Sequence, residues 1–171
     1  MSLNTLEEIA EYIVSDGKGI LAADESNPTC GKRFDSIGVE STESNRRDYR
    51  EMLFRSSGIK DNIGGVILFD ETIRQNAQDG TPLVELINNQ GALPGIKVDK
   101  GLAPLDSSPE ETLTQGLDGL DERCKEYFTL GAKFTKWRAV IKISDDIPTD
   151  ACIQANMEAL ARYAKIVQDN N

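Results

Sequence analysis

The 171-residue chain contains no histidine. Histidine is the commonest metal ligand and the usual general base near neutral pH, so its absence excludes a His-ligated zinc site and any Ser-His or Cys-His couple within these residues. Carboxylate, lysine and tyrosine remain for acid-base work. Cysteine is scarce too: Cys30, Cys124 and Cys152 are odd in number, widely spaced and form no C-x-x-C pair, the pattern of reduced thiols in a cytoplasmic protein. No segment approaches the ~18 consecutive apolar residues of a membrane span, and the N-terminus lacks a basic-then-apolar signal pattern. Bases are in deficit, 19 against 29 acids for a net charge of −10. That balance argues against a general nucleic-acid or anionic-membrane surface. Any affinity for phosphate must then be local, built from a few placed cations. The remainder, 39% hydrophobic and 28% charged, is ordinary for a globular domain, and the length suffices for one domain with a core.

The most informative stretch is Phe134-Thr-Lys-Trp-Arg-Ala-Val-Ile-Lys-Ile143, rich in β-branched and aromatic residues and expected to form one strand. Alternation places Lys136 and Arg138 on one face with Phe134 and Val140. Cations on a mostly apolar strand are costly to bury unless an anion meets them, and a phosphate or carboxylate ligand would do so. Lys97 and Asp99 share a face in Leu93-Pro-Gly-Ile-Lys-Val-Asp-Lys-Gly101, and Gly19-Ile-Leu-Ala-Ala stops abruptly on Asp24. Each charge, taken singly, is explained by a salt bridge or an exposed edge. Three strands ending this way point instead to a shared rim, which in a parallel α/β barrel is where the chemistry sits.

Along the chain, Thr5-Leu-Glu-Glu8 is a capping box for a first helix. Ser26-Asn27-Pro28 suits another helix start, where an N-terminus beside Arg33 would hold a phosphate. A helix over 42–56 is expected to bury Tyr49, Met52 and Leu53, leaving Arg46, Arg47 and Arg50 on a solvated face, with Arg46 still able to reach a ligand. Gly64–Phe69 reads as a strand covered on both faces, followed by Asp70 as a helix cap. After a turn at 79–82 come a helix over 83–89, a strand over 95–99, a long loop over 101–115, and a helix over 117–130 closed by Gly131. Pro148 and Thr149 open a last helix whose buried side carries Ala159, Leu160, Tyr163, Ala164 and Val167. One helix and four β-then-α units predict a parallel sheet with right-handed crossovers. A fifth strand is expected to begin where the chain stops, at residues 168–171.

Several blocks resemble class I fructose-bisphosphate aldolase: Gly17-Lys-Gly-Ile-Leu-Ala-Ala-Asp-Glu-Ser26, Gly31-Lys-Arg33, Asn45-Arg-Arg47, Gly64-Gly-Val-Ile-Leu-Phe69, Gly95-Ile-Lys-Val-Asp-Lys-Gly101, Gln115-Gly-Leu-Asp-Gly-Leu120, Lys136-Trp-Arg138 and Leu160-Ala-Arg-Tyr163. They run in order over nearly the whole chain. The resemblance implies a (β/α)8 TIM barrel of which about the first four β/α units are present, residues 1–171 being the N-terminal half of one barrel domain. It implies cleavage of fructose 1,6-bisphosphate to dihydroxyacetone phosphate and glyceraldehyde 3-phosphate in glycolysis, through a lysine imine, with no metal and no cofactor. By motif, Asp24 and Lys136 would be catalytic. Ser26, Thr29, Arg33, Arg46, Lys97 and Arg138 would bind substrate, with Thr29 standing where many relatives carry serine. The imine lysine and the principal acid-base glutamate of the family are expected beyond residue 171, so neither Lys97 nor Lys136 is the expected nucleophile and this chain alone is expected to be inactive. The alternative is a non-catalytic half barrel, a phosphate-binding remnant or self-associating module. Either way the expected partners are a sugar phosphate and a second protein copy or barrel half, with no nucleic acid and no membrane.

Overall fold

A computed structural model describes Leu3 and residues 5–170, so of the residues 168–171 where a fifth strand is expected to begin, Asn171 lies outside it and the others do not form one. Residues 168–170 complete the last helix and its cap. The chain divides into two compact units, residues 1–97 with 127–135, and residues 98–126 with 136–171.

The first unit opens with α1 (Leu6–Ile13), whose capping box is formed as predicted: the Glu8 amide donates to Thr5 Oγ1 and the Thr5 amide to Glu8 Oε2, both at 3.2 Å. Then come β1 (Gly19–Ala23), α2 (Asn27–Asp35), α3 (Glu43–Phe54), α4 (Ile59–Asn62), β2 (Ile63–Leu68), α5 (Asp70–Ile73), α6 (Leu83–Asn89) and β3 (Leu93–Lys97). β1 pairs with β2 and β2 with β3, both in parallel. The four-stranded sheet has the order β1-β2-β3-β6. Its core holds the fully buried Ala23, Val66, Leu68 and Ile96, with Phe54, Leu83 and Ile87 from the helices. Asp70 is not the expected cap: Phe69 occupies that position, and Asp70 opens the helix and accepts from Tyr127 Oη at 2.8 Å.

The second unit departs further from expectation. Residues 101–115 are not a loop: β4 (Leu102–Leu105) and β5 (Ser108–Thr114) form an antiparallel hairpin. Pro104 and Pro109 mark it as a breaker in sequence, but a two-stranded ribbon tolerates proline on its outward-facing edges. The next helix, α7 (Leu120–Thr129), begins three residues later than predicted, because Gly116 and Gly119 take φ of +126° and +63°, outside helical space. β6 is only Phe134–Lys136, not the ten-residue strand expected over 134–143. A strand continues only where its backbone groups find partners. Past Lys136 the Arg138 carbonyl accepts from Thr114 Oγ1 at 2.6 Å and the Val140 carbonyl from Thr112 Oγ1 at 3.5 Å, so side chains replace the ladder. Finally α8 (Asp150–Gln168) starts at Thr149, whose hydroxyl accepts from the Cys152 amide. Its buried residues are Cys152, Asn156 and Ala159, whereas Leu160, expected inside, is 38% exposed.

Candidate functional site

In the first unit the register brings three strand ends level. Ala23 pairs with Leu68 and Leu68 with Ile96, so Asp24, Phe69 and Lys97 each follow that buried row by one residue. Alternation turns them to the face opposite it. All three are half-buried, in contrast to the wholly buried row behind them. Asp24 and Lys97, read separately from sequence, thus share one face at the same end of one sheet.

Behind Asp24 the chain builds a charged network. Arg33 is ion-paired with Glu25 and donates to Tyr49 Oη at 3.0 Å. The Glu25 charge holds the Arg33 pKa above the ordinary arginine value. Burial, then Glu25, raises that of Tyr49. Arg46 grips Glu71 with two bonds, 2.8 Å from Nε and 2.6 Å from Nη2, and Glu71 also accepts from Asn27 Nδ2 at 3.3 Å. The Arg46 hydrogen bonds pull the Glu71 carboxyl below its usual range and raise Arg46 in return. Ser26 and Thr29, at the start of α2, hydrogen-bond each other at 3.1 Å through their hydroxyls.

The solvated face expected for the α3 arginines is wrong for two of the three. Arg50 is 2% exposed and the Arg46 side chain 11%, while Met52, expected inside, is 62% exposed. Arg50 Nε donates to the Ala23 carbonyl at 2.9 Å, Nη2 to the Glu25 carbonyl at 2.8 Å, and Nη1 lies 3.1 Å from Cys30 Sγ. The same guanidinium is 3.0 Å from Glu25 Oε2. Removing one member of a pair this buried costs about 3–5 kcal/mol. Glu25, Tyr49, Arg50 and Glu71 are therefore members of the charged network next to Asp24 that sequence reasoning missed. The available signal was spacing: Arg46, Arg50 and Phe54 recur every fourth residue, one helix face, and the last two are the buried residues of α3.

In the second unit Lys136 is half-buried as the last residue of β6, and Arg138 is exposed in the irregular segment that follows. Trp137 stacks on Tyr163 with ring centroids 5.1 Å apart. Here the expected grouping on one strand face holds for Phe134 and Lys136 only, since the strand ends before Arg138. Among the described residues no three His, Cys, Asp or Glu side chains come together as metal ligands would.

A parallel sheet flanked by helices, with charged residues level at its strand ends, defines an α/β protein of the class whose ligands meet the strand ends. The family profile "Fructose-bisphosphate aldolase class-I" matches residues 5–171, and the chain belongs to that family. It is 54% identical over 169 residues to a probable fructose-bisphosphate aldolase class 1 of Xanthomonas campestris pv. campestris, covering 99% of this chain and 51% of that protein. It is 55% identical over 165 residues to the cytosolic fructose-bisphosphate aldolase 5 of Arabidopsis thaliana, covering 96% and 46%. Its fold matches the fructose-bisphosphate aldolase of Plasmodium falciparum, solved in complex with TRAP and a small-molecule inhibitor, at a TM-score of 0.90 and 51% identity, over 95% of this chain and 47% of that one. The chain spans about half the length of these relatives and carries about the first four β/α units of a (β/α)8 TIM barrel.

Proposed function

We propose that residues 1–171 form the front part of one class I aldolase barrel domain that cleaves fructose 1,6-bisphosphate to dihydroxyacetone phosphate and glyceraldehyde 3-phosphate through a lysine imine. The observation that carries this reading is the level placement of Asp24 and Lys97 on one sheet face, in a chain whose family match runs from residue 5 to residue 171. An amine attacks a ketone only when unprotonated, and neighbouring cations lower its pKa from ~10. Lys136, carried over from the family motif, is the cation assigned to that task. Once formed, the protonated imine draws in the electron pair of the breaking C–C bond, and Asp24 assists the accompanying proton movements. Lys97 meets substrate hydroxyls and phosphate. Ser26, Thr29, Arg33, Arg46 and Arg138 complete phosphate binding, which asks Arg33 and Arg46 to share their charge with Glu25 and Glu71. The imine lysine and the main acid-base glutamate are assigned to the barrel strands beyond residue 171.

Two of the relatives are cytosolic by name, and among the described residues no helix is long and apolar enough to cross a membrane. Cytoplasmic placement and association with a second copy or barrel half are part of the same proposal. Triose phosphate release in a coupled assay on the natural polypeptide carrying these residues tests it. Asp24→Asn, Lys97→Met and Lys136→Met should each lower kcat/KM by about 100-fold or more, in the range of lost acid-base and electrostatic contributions. Full activity in Asp24→Asn or Lys136→Met would overturn the catalytic assignment.

A further inference from the structure

Beyond β1 the sheet no longer holds the backbone: Ala23 is the last residue paired with β2, and Asp24 comes next. At this point the guanidinium of Arg50 takes over. Its Nε donates to the carbonyl of Ala23 and its Nη2 to that of Glu25, so one planar group grips the chain on both sides of Asp24. The guanidinium is itself held. Cys30 Sγ on α2 accepts from Nη1, Glu25 Oε2 lies 3.0 Å from Nη2, and the Tyr49 ring centroid is 5.2 Å from Cζ. Arg50, at 2% exposed, and Cys30 are buried, the Glu25 side chain is 9% exposed and Tyr49 is half-buried. Only arginine spans two carbonyls with a rigid fork; an ammonium is a point donor on a flexible stem.

We infer that Arg50 is the positioning residue for Asp24, clamping the two carbonyls that flank it so that the carboxylate is presented at a fixed height past the end of β1. This rests on the proposed role of Asp24. A carboxylate moved by about 1 Å loses up to about 100-fold in rate even when the fold survives. Because Arg50 acts through Asp24, its effect vanishes once the Asp24 carboxylate is gone.

The test is a double-mutant cycle on the natural polypeptide, with kcat and KM for triose phosphate release measured for Arg50→Lys, Asp24→Asn and the pair. Arg50→Lys should lower kcat about 10- to 100-fold with KM within about 2-fold, and the pair should be no slower than Asp24→Asn alone. If Arg50→Lys is not recovered folded, Arg50→Gln, which can still reach one carbonyl, carries the same cycle. An unchanged kcat in the Arg50 variant overturns the positioning role. So does a pair whose losses multiply, since that is what an independent structural defect gives. Full turnover in Asp24→Asn strikes instead at the functional reading of Asp24, so the two failures are distinguishable.

Discussion

At the residue scale, several carboxylates are held by hydrogen-bond donors. Glu71 is held by Arg46, and Glu111, 1% exposed, accepts from the Thr149 amide at 2.9 Å and its hydroxyl at 2.6 Å. The Thr149 hydroxyl bond, with the amide bond behind it, holds the Glu111 carboxyl below its usual range. On the surface Asp79 falls to about 2, through its bonds from Thr81 and Arg55. A carboxylate with a lowered native pKa binds its proton more readily in the unfolded chain. Its stabilisation is therefore present above the ordinary carboxylate range and lost as pH falls through the lowered value. Urea midpoints should accordingly decline with acid from about pH 5 downward. Thr149→Ala, which also removes the cap of α8, should cost about 1 kcal/mol at neutral pH and make that decline shallower. An unchanged midpoint in the variant, or an unchanged acid slope, would contradict this account of Glu111. This is also the scale at which sequence was least informative. An arginine in a helix reads as solvated by default, and only the contact with the Ala23 and Glu25 carbonyls, 27 and 25 residues away, makes Arg50 an interior group.

At the scale of elements, local signals were legible wherever a segment is fixed by its own chemistry. The Thr5 capping box, the apolar run of β2 to within one residue, and helix α6 over Leu83–Asn89 all stand where they were read. Segments whose state depends on a distant partner were not legible. The hairpin of β4 and β5 exists because each strand supplies the other's hydrogen bonds, and β6 stops at Lys136 because Thr112 and Thr114 of β5 satisfy the carbonyls beyond it. The parallel sheet carries its own constraint. Phe134 lies against the glycine positions of its neighbours, and a Cβ added at Gly65 or Gly95 would run into the Phe134 ring. Gly95→Ala should therefore destabilise by about 1–3 kcal/mol, the usual cost of overpacking, as read by chemical denaturation. Combining it with Phe134→Leu, which removes the opposing ring, should recover part of that loss. A neutral Gly95→Ala would mean that the ring has room to move aside.

At the scale of the whole molecule, the family and the general architecture were legible because long motif blocks survive in order, from Gly17 to Tyr163. Of the candidate residues, the placement of Asp24 and Lys97 level on one sheet face was legible, whereas Arg138 lies beyond the end of the strand that was to carry it. The division of labour proposed here gives residues 1–171 the tuning cations, the acid of β1 and much of the phosphate binding, and assigns the nucleophile elsewhere. Borohydride reduction of the natural polypeptide in the presence of dihydroxyacetone phosphate, followed by peptide mapping, tests that division most directly. The expected result is one trapped lysine lying outside residues 1–171, with Lys97 and Lys136 unmodified. A stable adduct on either of those two lysines, or no adduct anywhere, would contradict it.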